Sequence, residues 1–460
     1  MATIVPIDTP TLGNRSYLAH DGTVALVVDP QRDIDRVLEV AESEGVRITH
    51  VFETHIHNDY LTGGLVLARA TGAAYHVNGA DDVSFERTPV ADGDVVEVSP
   101  TLRVRVIATP GHTYNHLSYA LDSASAPGED LTRVGVFTGG SLLFGATGRP
   151  DLMGREHTHA LVHHQFASAN RLATELPEST EVLPTHGFGS FCSAGSTGDT
   201  TASTIGAERR NNPALTQDEE RWVTETLESL DAWPSYYVHM ATGNLAGPDE
   251  AGLSTPEAAD KETLATRIAA GEWVVDLRTR TAFAAGHVPG TLNFGLDGQL
   301  ATYLGWLIPW GAPLTLLGES PEQVAEAQRE LVRIGVEHLE GAATGEPQDW
   351  TDGELGSFPR AEFADLAEVR HHRRVSVLDV RRAGEWREGH LEGAVHIPIH
   401  ELLERVDEVP AGEVWVHCAG GYRASIAASV LAARGVQVVA VDDSFDENAH
   451  RSGLALVAAA

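Results

Sequence analysis

Apolar and polar positions repeat in the second half of the chain. The segment from Val274 to Gly290 predicts a buried strand ending in Asp-x-Arg, a short helix with one aromatic residue, and a Gly-His turn into the next strand. The same pattern returns later at a constant offset, which indicates a duplicated α/β unit. The matched positions are Asp276 and Asp379, Arg278 and Arg381, Phe283 and Trp386, Gly286 and Gly389, His287 and His390, and Gly290 and Gly393.

A cysteine distinguishes the second repeat from the first. In the second repeat a predicted strand ends at Cys418, a loop of small residues runs as far as Arg423, and a helical run starts at Ala424. In the first repeat Gly318 and Gln323 stand where Cys418 and Arg423 would be. The first repeat therefore has no nucleophile.

The position of Cys418 favours a reactive thiolate. Backbone N–H groups converge between a strand end and a helix start, and the helix dipole is positive there. Arg423 supplies a fixed cation that can orient an anion such as thiosulfate. A buried, inert cysteine beside a glycine turn is the alternative. For Cys192 that structural role is the expected one, although its place shortly after His186 leaves chemistry there open.

The second repeat, residues 360–455, resembles a rhodanese domain, with Cys418 at the position of the family's persulfide-forming cysteine. Its loop from Cys418 to Arg423 has the six-residue length that this family associates with sulfur. The resemblance implies catalytic roles for Asp379, Cys418 and Arg423. Residues 258–340 resemble a rhodanese copy without activity.

Three apolar runs in the first half of the chain end in histidine motifs. The first is followed by His55, His57 and Asp59, whose side chains can point the same way in an extended segment. The other two end in Pro-Gly-His112 and Thr-His186-Gly. Imidazoles and a carboxylate brought together in this way favour a metal site.

These motifs resemble the metallo-β-lactamase superfamily, an αββα sandwich, over residues 1 to about 210. The sequences Thr-His-Ile-His-Asn-Asp, Pro-Gly-His-Thr and His-Gly, with the segment from Thr138 to Leu152, are most similar to the persulfide dioxygenase branch. Fusion to rhodanese-like repeats agrees with that branch, because the combined family acts on persulfide sulfur.

Two positions depart from the family. Gly140 stands where the family has an aspartate that binds iron together with the residues matching His55 and His112. Tyr60 replaces the histidine that two-metal members use for a second ion, which disfavours a dinuclear hydrolytic site.

Three arrangements stay open for the metal. His55, His57 and His112 form a three-histidine face, or Asp59 replaces the missing carboxylate, or the site is weak or empty. We expect one divalent ion, Fe(II) with Zn(II) as the alternative, on His55, His57, His112 and Asp59. His186, Gly140 and Tyr60 are expected in its vicinity.

The length of the chain indicates how many domains it contains. At about 150 residues per domain, 460 residues suggest three domains. We predict a metallo-β-lactamase-like domain with a helical extension at 1–250, an inactive rhodanese-like domain at 257–342 and a rhodanese domain at 357–460. Polar stretches at 246–256 and 341–356 are the predicted linkers.

The net charge and the number of cysteines limit the classes of binding partner and the cellular compartment that we expect. The formal charge of −34 disfavours nucleic acid, and no apolar run approaches the roughly 18 residues of a membrane span. Two cysteines and the absence of a signal-peptide pattern favour the cytoplasm. Arg209 and Arg210 could bind an anionic thiol carrier or form a solvated helix end, and assembly into an oligomer is left open.

Together these features predict a sulfur-metabolism enzyme. Its metal domain would oxidise a low-molecular-weight thiol persulfide, such as glutathione persulfide, to sulfite, and Cys418 would exchange sulfur with sulfite or thiosulfate. The alternative is a sulfurtransferase whose metal domain is a hydrolase, for example of thioesters, or is silent. A third interpretation is a persulfide-binding sensor or carrier without catalysis.

Overall fold

A computed structural model describes residues 2–195 and 200–458. The chain divides into two compact units, an N-terminal unit of Met1–Gly252 with Val332–Gly335 and a C-terminal unit of Leu253–Leu331 with Val336–Ala460. The three predicted domain ranges stay a prediction. Within the described residues, no helix has the length and apolar character needed to cross a bilayer.

Two six-stranded mixed sheets form the centre of the N-terminal unit. The first runs in the order β1(Thr3–Thr9), β2(Asn14–His20), β3(Val24–Val28), β4(Arg47–Phe52), β5(Ala74–Asn78), β6(Thr88–Val90). The second runs in the order β12(Ser203–Thr204), β11(Glu181–Pro184), β10(Thr132–Gly139), β9(Leu117–Ser123), β8(Leu102–Ala108), β7(Val95–Ser99). Alternation of buried and partly exposed residues, as in β8, is typical of strands that bury one face.

Helices cover the outer faces of both sheets. The inner faces share one core with side chains such as Leu26, Phe52 and Phe137, while α1 and α2 pack on the first sheet and α3 to α6 on the second. This arrangement confirms the predicted αββα sandwich. The helices of the unit are α1(Asp35–Ser43), α2(Gly64–Thr71), α3(Arg155–Glu175), α4(Ile205–Asn211), α5(Pro213–Thr216), α6(Glu219–Ser229) and α7(Tyr237–Ala246).

The C-terminal unit contains two parallel sheets. One has the order β14(Leu292–Asn293), β13(Trp273–Asp276), β15(Leu314–Gly318), β16(Leu339–Thr344). The other has the order β17(Arg360–Ala361), β22(Gln437–Val441), β21(Glu413–His417), β18(Ser376–Asp379), β20(Val395–His396), and β19(His390–Leu391) pairs with β23(Leu456–Val457). The strands in the middle of both sheets are almost entirely buried, as expected of parallel sheets.

Helices connect these strands. They are α8(Lys261–Ala269), α9(Arg280–Ala285), α10(Leu300–Leu307), α11(Pro321–Arg333), α12(Pro347–Trp350), α13(Phe363–His372), α14(Ala383–Glu388) and α15(Tyr422–Ala432). Short 3-10 helices span Ile399–Glu401 and Val406–Glu408, and a π-helical turn spans Phe445–Ala449.

The repeat seen in the sequence is also a repeat of hydrogen bonds. Arg278 binds the carboxylate of Asp276 at 2.6 Å and donates to the carbonyl of Gly286 at 2.8 Å. Arg381 makes the same bonds to Asp379 and Gly389, both at 2.7 Å. Each Asp-x-Arg motif therefore ties a strand end to the turn after the next helix, and the two repeats share this local architecture.

The prediction of a linker from Gly341 to Gly356 is wrong. Strand β16 ends at Thr344, and α12 carries Trp350, which is only 2 % exposed. The polar composition of this segment concealed one large apolar anchor, whose burial stabilises the first repeat. For the other linker, no helix or strand lies between Ala246 and Lys261 in the described chain.

Replacing Arg278 by alanine should destabilise the C-terminal unit by about 3 to 5 kcal/mol, because it leaves the buried Asp276 carboxylate without its partner. Chemical denaturation of the full chain, monitored on the unfolding transition of this unit, measures the decrease in its free energy of unfolding. Arg373→Ala removes a largely exposed ion pair with Glu413 and should cost less than about 1 kcal/mol. Equal effects of the two variants would contradict a structural role for the Arg278 pair.

Candidate metal centre and cysteine loop

The predicted metal ligands converge at one end of the sandwich. His55, His57 and Asp59 follow β4, His112 lies between β8 and β9, and His186 follows β11. All five side chains are at most 2 % exposed. Strand ends from both sheets thus bring residues separated by up to 131 positions into one buried cluster.

Three histidines of this cluster present nitrogens to one point. Ligand atoms of His55, His112 and His186 lie within 4.8 Å of one another. Nε2 of His55 is 3.4 Å from Nε2 of His186, and Nε2 of His112 is buried without a hydrogen-bond partner among the described residues. An orphaned, buried ring nitrogen facing other imidazoles fits a divalent transition metal.

In each of these three histidines the second ring nitrogen, Nδ1, has a hydrogen-bond partner. Nδ1 of His55 is 2.9 Å from the hydroxyl of Thr54, and Nδ1 of His186 is 3.0 Å from the amide oxygen of Asn14. Nδ1 of His112 donates to the carbonyl of Arg149 at 2.9 Å. These partners fix the orientation of each ring and favour the tautomer with a free Nε2.

Burial keeps the imidazoles of His55 and His112 neutral. Desolvation, reinforced by neighbouring histidines, lowers the pKa of His112 to about 3 and holds the pKa of His55 well below its usual value. A neutral imidazole keeps the lone pair that a metal requires, so no proton has to leave before an ion binds.

His57 has a different environment from the other histidines. Its Nε2 lies 3.2 Å from Glu53, 3.3 Å from Asp29 and 2.9 Å from the hydroxyl of Tyr60. Burial alone would lower the pKa of His57, but the two carboxylates raise it to about 10. Because Tyr60 is buried against this imidazole, it fills space beside the site.

Two further donor groups overlap the first. His57, Asp59 and His186 form one, and Asp29, Glu53 and His57 form another. Nδ1 of His57 and Oδ1 of Asp59 are also without hydrogen-bond partners in the described structure. The predicted ligands are therefore brought together, but in more than one grouping.

Gly140 shapes the pocket for His112. A Cβ atom at residue 140 would overlap Cδ2 of His112 and lie 2.6 Å from its Cγ, and a Cβ at Gly148 would lie 2.7 Å from its Nδ1. The imidazole thus occupies a slot between two glycines. The space in which an aspartate side chain at 140 would begin is taken by His112.

The two arginines predicted to bind a thiol carrier are not among the residues that contact the histidine cluster in the described structure. Arg209 is exposed on α4 and pairs with Glu178 at 3.3 Å, and Arg210 follows it in the same helix. The structure instead reveals Asn14, Asp29 and Thr54 as residues that orient the histidines. An aspartate directly after the apolar run of β3 was the one local signal that could have pointed to Asp29.

The cysteine loop has the predicted local structure. Cys418 follows β21 directly, and the N–H of Gly421 donates to its Sγ at 3.2 Å. Helix α15 begins at Tyr422, so its N-terminus lies beside the sulfur. Cys418 is only 2 % exposed.

Arg423 is locked in place by an acidic partner. Its guanidinium makes two hydrogen bonds with Glu385, at 2.6 and 2.7 Å. Burial alone would raise the pKa of Glu385, but Arg423 lowers it to about 2. Asp379, at the end of β18, binds Arg381 at 2.7 Å and lies 3.5 Å from Nε2 of His417.

The first repeat holds the cysteine loop of the second. The hydroxyl of Tyr422 donates to the carbonyl of Gly295 at 2.9 Å, and the ring of Tyr303 lies 5.9 Å from that of Tyr422. Arg280 pairs with Asp442 at 2.7 Å, and Asp442 packs against Gly421. In the first repeat itself, Gln323 binds its neighbour Glu319, so the equivalent loop carries no comparable chemistry.

Cys192 lies fully buried and is 3.9 Å from the hydroxyl of Tyr237. Desolvation raises the pKa of its thiol well above the usual value. A protonated, inaccessible thiol agrees with the structural role expected for this residue.

Family comparisons agree with the two kinds of site. Residues 9–171 match the metallo-beta-lactamase superfamily, and residues 362–449 match the rhodanese-like domain. The hydroxyacylglutathione hydrolase of Rhodospirillum rubrum is 31 % identical over 205 residues, which cover 42 % of this chain and 77 % of that protein. In three other curated hydroxyacylglutathione hydrolases the chain spans only 51 to 62 % of their length.

One of the solved structures that align with this chain shows the same fold. A metallo-beta-lactamase from Staphylococcus aureus aligns with a TM-score of 0.66 and 26 % identity, covering 75 % of this chain and 99 % of that one. ETHE1 from Myxococcus xanthus aligns at 0.44 and 27 % identity over 53 % of this chain and 98 % of that one, a likeness too weak to bear on function. The chain therefore belongs to the metallo-beta-lactamase superfamily and carries a C-terminal rhodanese-like domain.

Proposed function

We propose that this protein is a sulfur-handling enzyme with two centres. Cys418 carries sulfane sulfur between a persulfide and sulfite or thiosulfate, and the metal centre oxidises a low-molecular-weight persulfide such as glutathione persulfide. The observation that carries the proposal is the cysteine loop, in which a backbone N–H and a helix N-terminus face Sγ beside a fixed guanidinium.

Sulfur transfer at Cys418 needs no redox partner. The thiolate attacks the outer sulfur of thiosulfate, an S–S bond forms, and the original S–S bond breaks as sulfite leaves with its electron pair. The N–H of Gly421 stabilises negative charge on the cysteine sulfur. Arg423, held by Glu385, orients the anionic donor.

The metal domain would consume the persulfide that such transfers produce. Glutathione persulfide, one O2 and one water give glutathione, sulfite and two protons, so four electrons pass from sulfur to oxygen. A bound divalent iron would supply the site at which oxygen and persulfide are activated. The protein provides the neutral imidazoles of His55 and His112 for it, and the burial of the cluster limits the access of bulk water.

Thioester hydrolysis is the second candidate for the metal domain. It is favoured by the relatives, whose names identify them as hydroxyacylglutathione hydrolases. Two features of this chain argue against it, namely Tyr60 and Gly140 in place of a histidine and an aspartate. Without those side chains a second metal ion loses two donors, and hydrolysis by a metal pair is disfavoured.

Replacing Cys418 by serine should abolish transfer of sulfur from thiosulfate to a thiol or cyanide acceptor, because the hydroxyl cannot form a persulfide. Metal content should be unchanged. Cys192→Ser is the matched control and should transfer sulfur at the wild-type rate, since Cys192 is buried with a protonated thiol. Transfer that survives in Cys418→Ser would remove Cys418 from the reaction.

Oxygen consumption separates the two candidates for the metal domain. We expect anaerobically iron-loaded protein to take up one O2 per glutathione persulfide and to release sulfite, measured in the same vessel. The Cys418→Ser variant should retain this uptake. Hydrolysis of a hydroxyacylglutathione by zinc-loaded protein, with no oxygen uptake by the iron form, would instead establish the hydrolase.

A further inference from the structure

We propose that a single metal ion is held by His55, His112 and His186, and that His186 replaces the carboxylate missing at residue 140. His57 then stays outside the coordination shell as a hydrogen-bonded neighbour. This assignment rests on the proposed function only in taking the N-terminal unit to bind a divalent metal. It concerns which side chains hold the ion, whatever reaction follows.

Distances favour this set of ligands. At a metal–nitrogen distance of about 2.1 Å, two nitrogens of a tetrahedral or octahedral site lie about 3.0 to 3.4 Å apart. Nε2 of His55 and Nε2 of His186 are 3.4 Å apart, and His112 completes the set within 4.8 Å. Among the described residues, no grouping within that limit combines His57 with both His55 and His112.

Ring anchoring supports the same set. His55, His112 and His186 each have Nδ1 bound to an oxygen of Thr54, Arg149 or Asn14, which leaves Nε2 directed inward. A metal-binding histidine characteristically has its other nitrogen held in this way. The Asn14 amide also donates to Asp59 at 2.8 Å, so a buried carboxylate supports His186 from behind.

His57 is directed toward another part of the cluster. Its Nε2 contacts Glu53, Asp29 and Tyr60. The second grouping places His57 with Asp59 and His186 and without His112. An ion on that second grouping is the competing assignment. Both assignments include His186. The other ligands are His55 and His112 in the proposed assignment, and His57 and Asp59 in the competing one.

Gly140 explains why a histidine replaces the carboxylate. Because the His112 ring fills the slot between Gly140 and Gly148, any side chain at residue 140 displaces it. An aspartate at 140 would therefore remove one ligand as it introduced another. In this chain the observed position of the His112 ring and a side chain at residue 140 therefore exclude each other.

Metal affinity of the full chain tests the assignment without any assay of turnover. The apoprotein is titrated anaerobically with Co(II), Fe(II) or Zn(II) against a competing chelator, and bound metal is counted by mass spectrometry. His55→Gln, His112→Gln and His186→Gln should each weaken binding at least about 100-fold, more than the loss of an outer hydrogen bond does. His57→Gln should weaken it by less than about 100-fold, as expected of a residue outside the coordination shell.

His116→Gln is the matched control. This buried imidazole stacks on His55, but its Nε2 already accepts from the N–H of Gly140 and its Nδ1 contacts Thr109, so neither nitrogen is available to an ion. Its metal affinity should stay within about tenfold of wild type. Thermal unfolding of every variant separates loss of a ligand from loss of the fold.

Substitutions at Gly140 give a second test. Gly140→Ala and Gly140→Asp should both weaken metal binding, because both add a Cβ atom against His112. An aspartate variant that binds more tightly than wild type while the alanine variant binds more weakly would overturn the proposal.

The remaining outcomes are decisive as well. Loss of binding in His57→Gln equal to that in His55→Gln overturns the proposal, and so does full binding in His186→Gln. Wild-type protein that binds no ion overturns both this assignment and the metal-dependent half of the proposed function. The predicted affinity pattern without oxygen uptake leaves the assignment standing and refutes only the dioxygenase.

Discussion

The carboxylate of Asp29 is the contact on which the geometry of the metal centre depends. It accepts hydrogen bonds from the N–H and the hydroxyl of Thr54, each at 2.7 Å, and from the hydroxyl of Thr185. It also lies 3.3 Å from Nε2 of His57. A fully buried charge is tolerated only when its acceptor sites are satisfied, so the ends of β3, β4 and β11 are held together at this point.

The backbone conformation of Asp29 is energetically unfavourable. It is the only non-glycine residue of the described chain with a positive φ, at 50°. Such conformations persist where surrounding contacts fix them, and they concentrate at functional sites. Here the contacts are those to Thr54 and Thr185, which immediately precede His55 and His186. The same carboxylate therefore sets the direction of two of the three strand ends that carry histidines.

Local patterns predicted much of this molecule. The repeat and the strand-end location of Cys418, His112 and His186 follow from apolar runs with a motif at their end, and the αββα sandwich was implied by the resemblance of those motifs to a known superfamily. The partners of those residues did not follow, because they depend on contacts between distant positions. Asn14 meets His186 across 172 residues and Asp29 meets Thr185 across 156, and no pattern within one segment encodes such a contact.

The choice among the histidines was equally beyond the sequence. His55 and His57 alternate along one segment and were predicted to act alike, yet Glu53 and Asp29 engage one and not the other. The linker error has a related cause, since the burial of Trp350 in the first repeat outweighs the polar composition around it. In both cases tertiary packing decided between local alternatives.

The proposed binding of anions at the cysteine site has to act against the net charge of this acidic chain. With a formal charge of −34, the protein as a whole repels thiosulfate and sulfite, but at physiological salt that repulsion is screened beyond about 8 Å. Inside this range Glu385 is shared by Arg423 at 2.6 Å and Arg382 at 3.3 Å, so the three side chains together keep a positive charge. Oriented dipoles add to this charge, namely the N–H of Gly421 and the start of α15.

Such dipoles act only on a group held close to them, which gives the first repeat a physical role despite its lack of a cysteine. Through Gly295 and Arg280 it fixes Tyr422 and Asp442, the neighbours of the loop. A rigid loop keeps its N–H groups directed at the sulfur before the anion arrives, and preorganised donors stabilise developing charge better than donors that must reorient. The first repeat, which has no cysteine, thus supports the cysteine loop of the second repeat through these contacts.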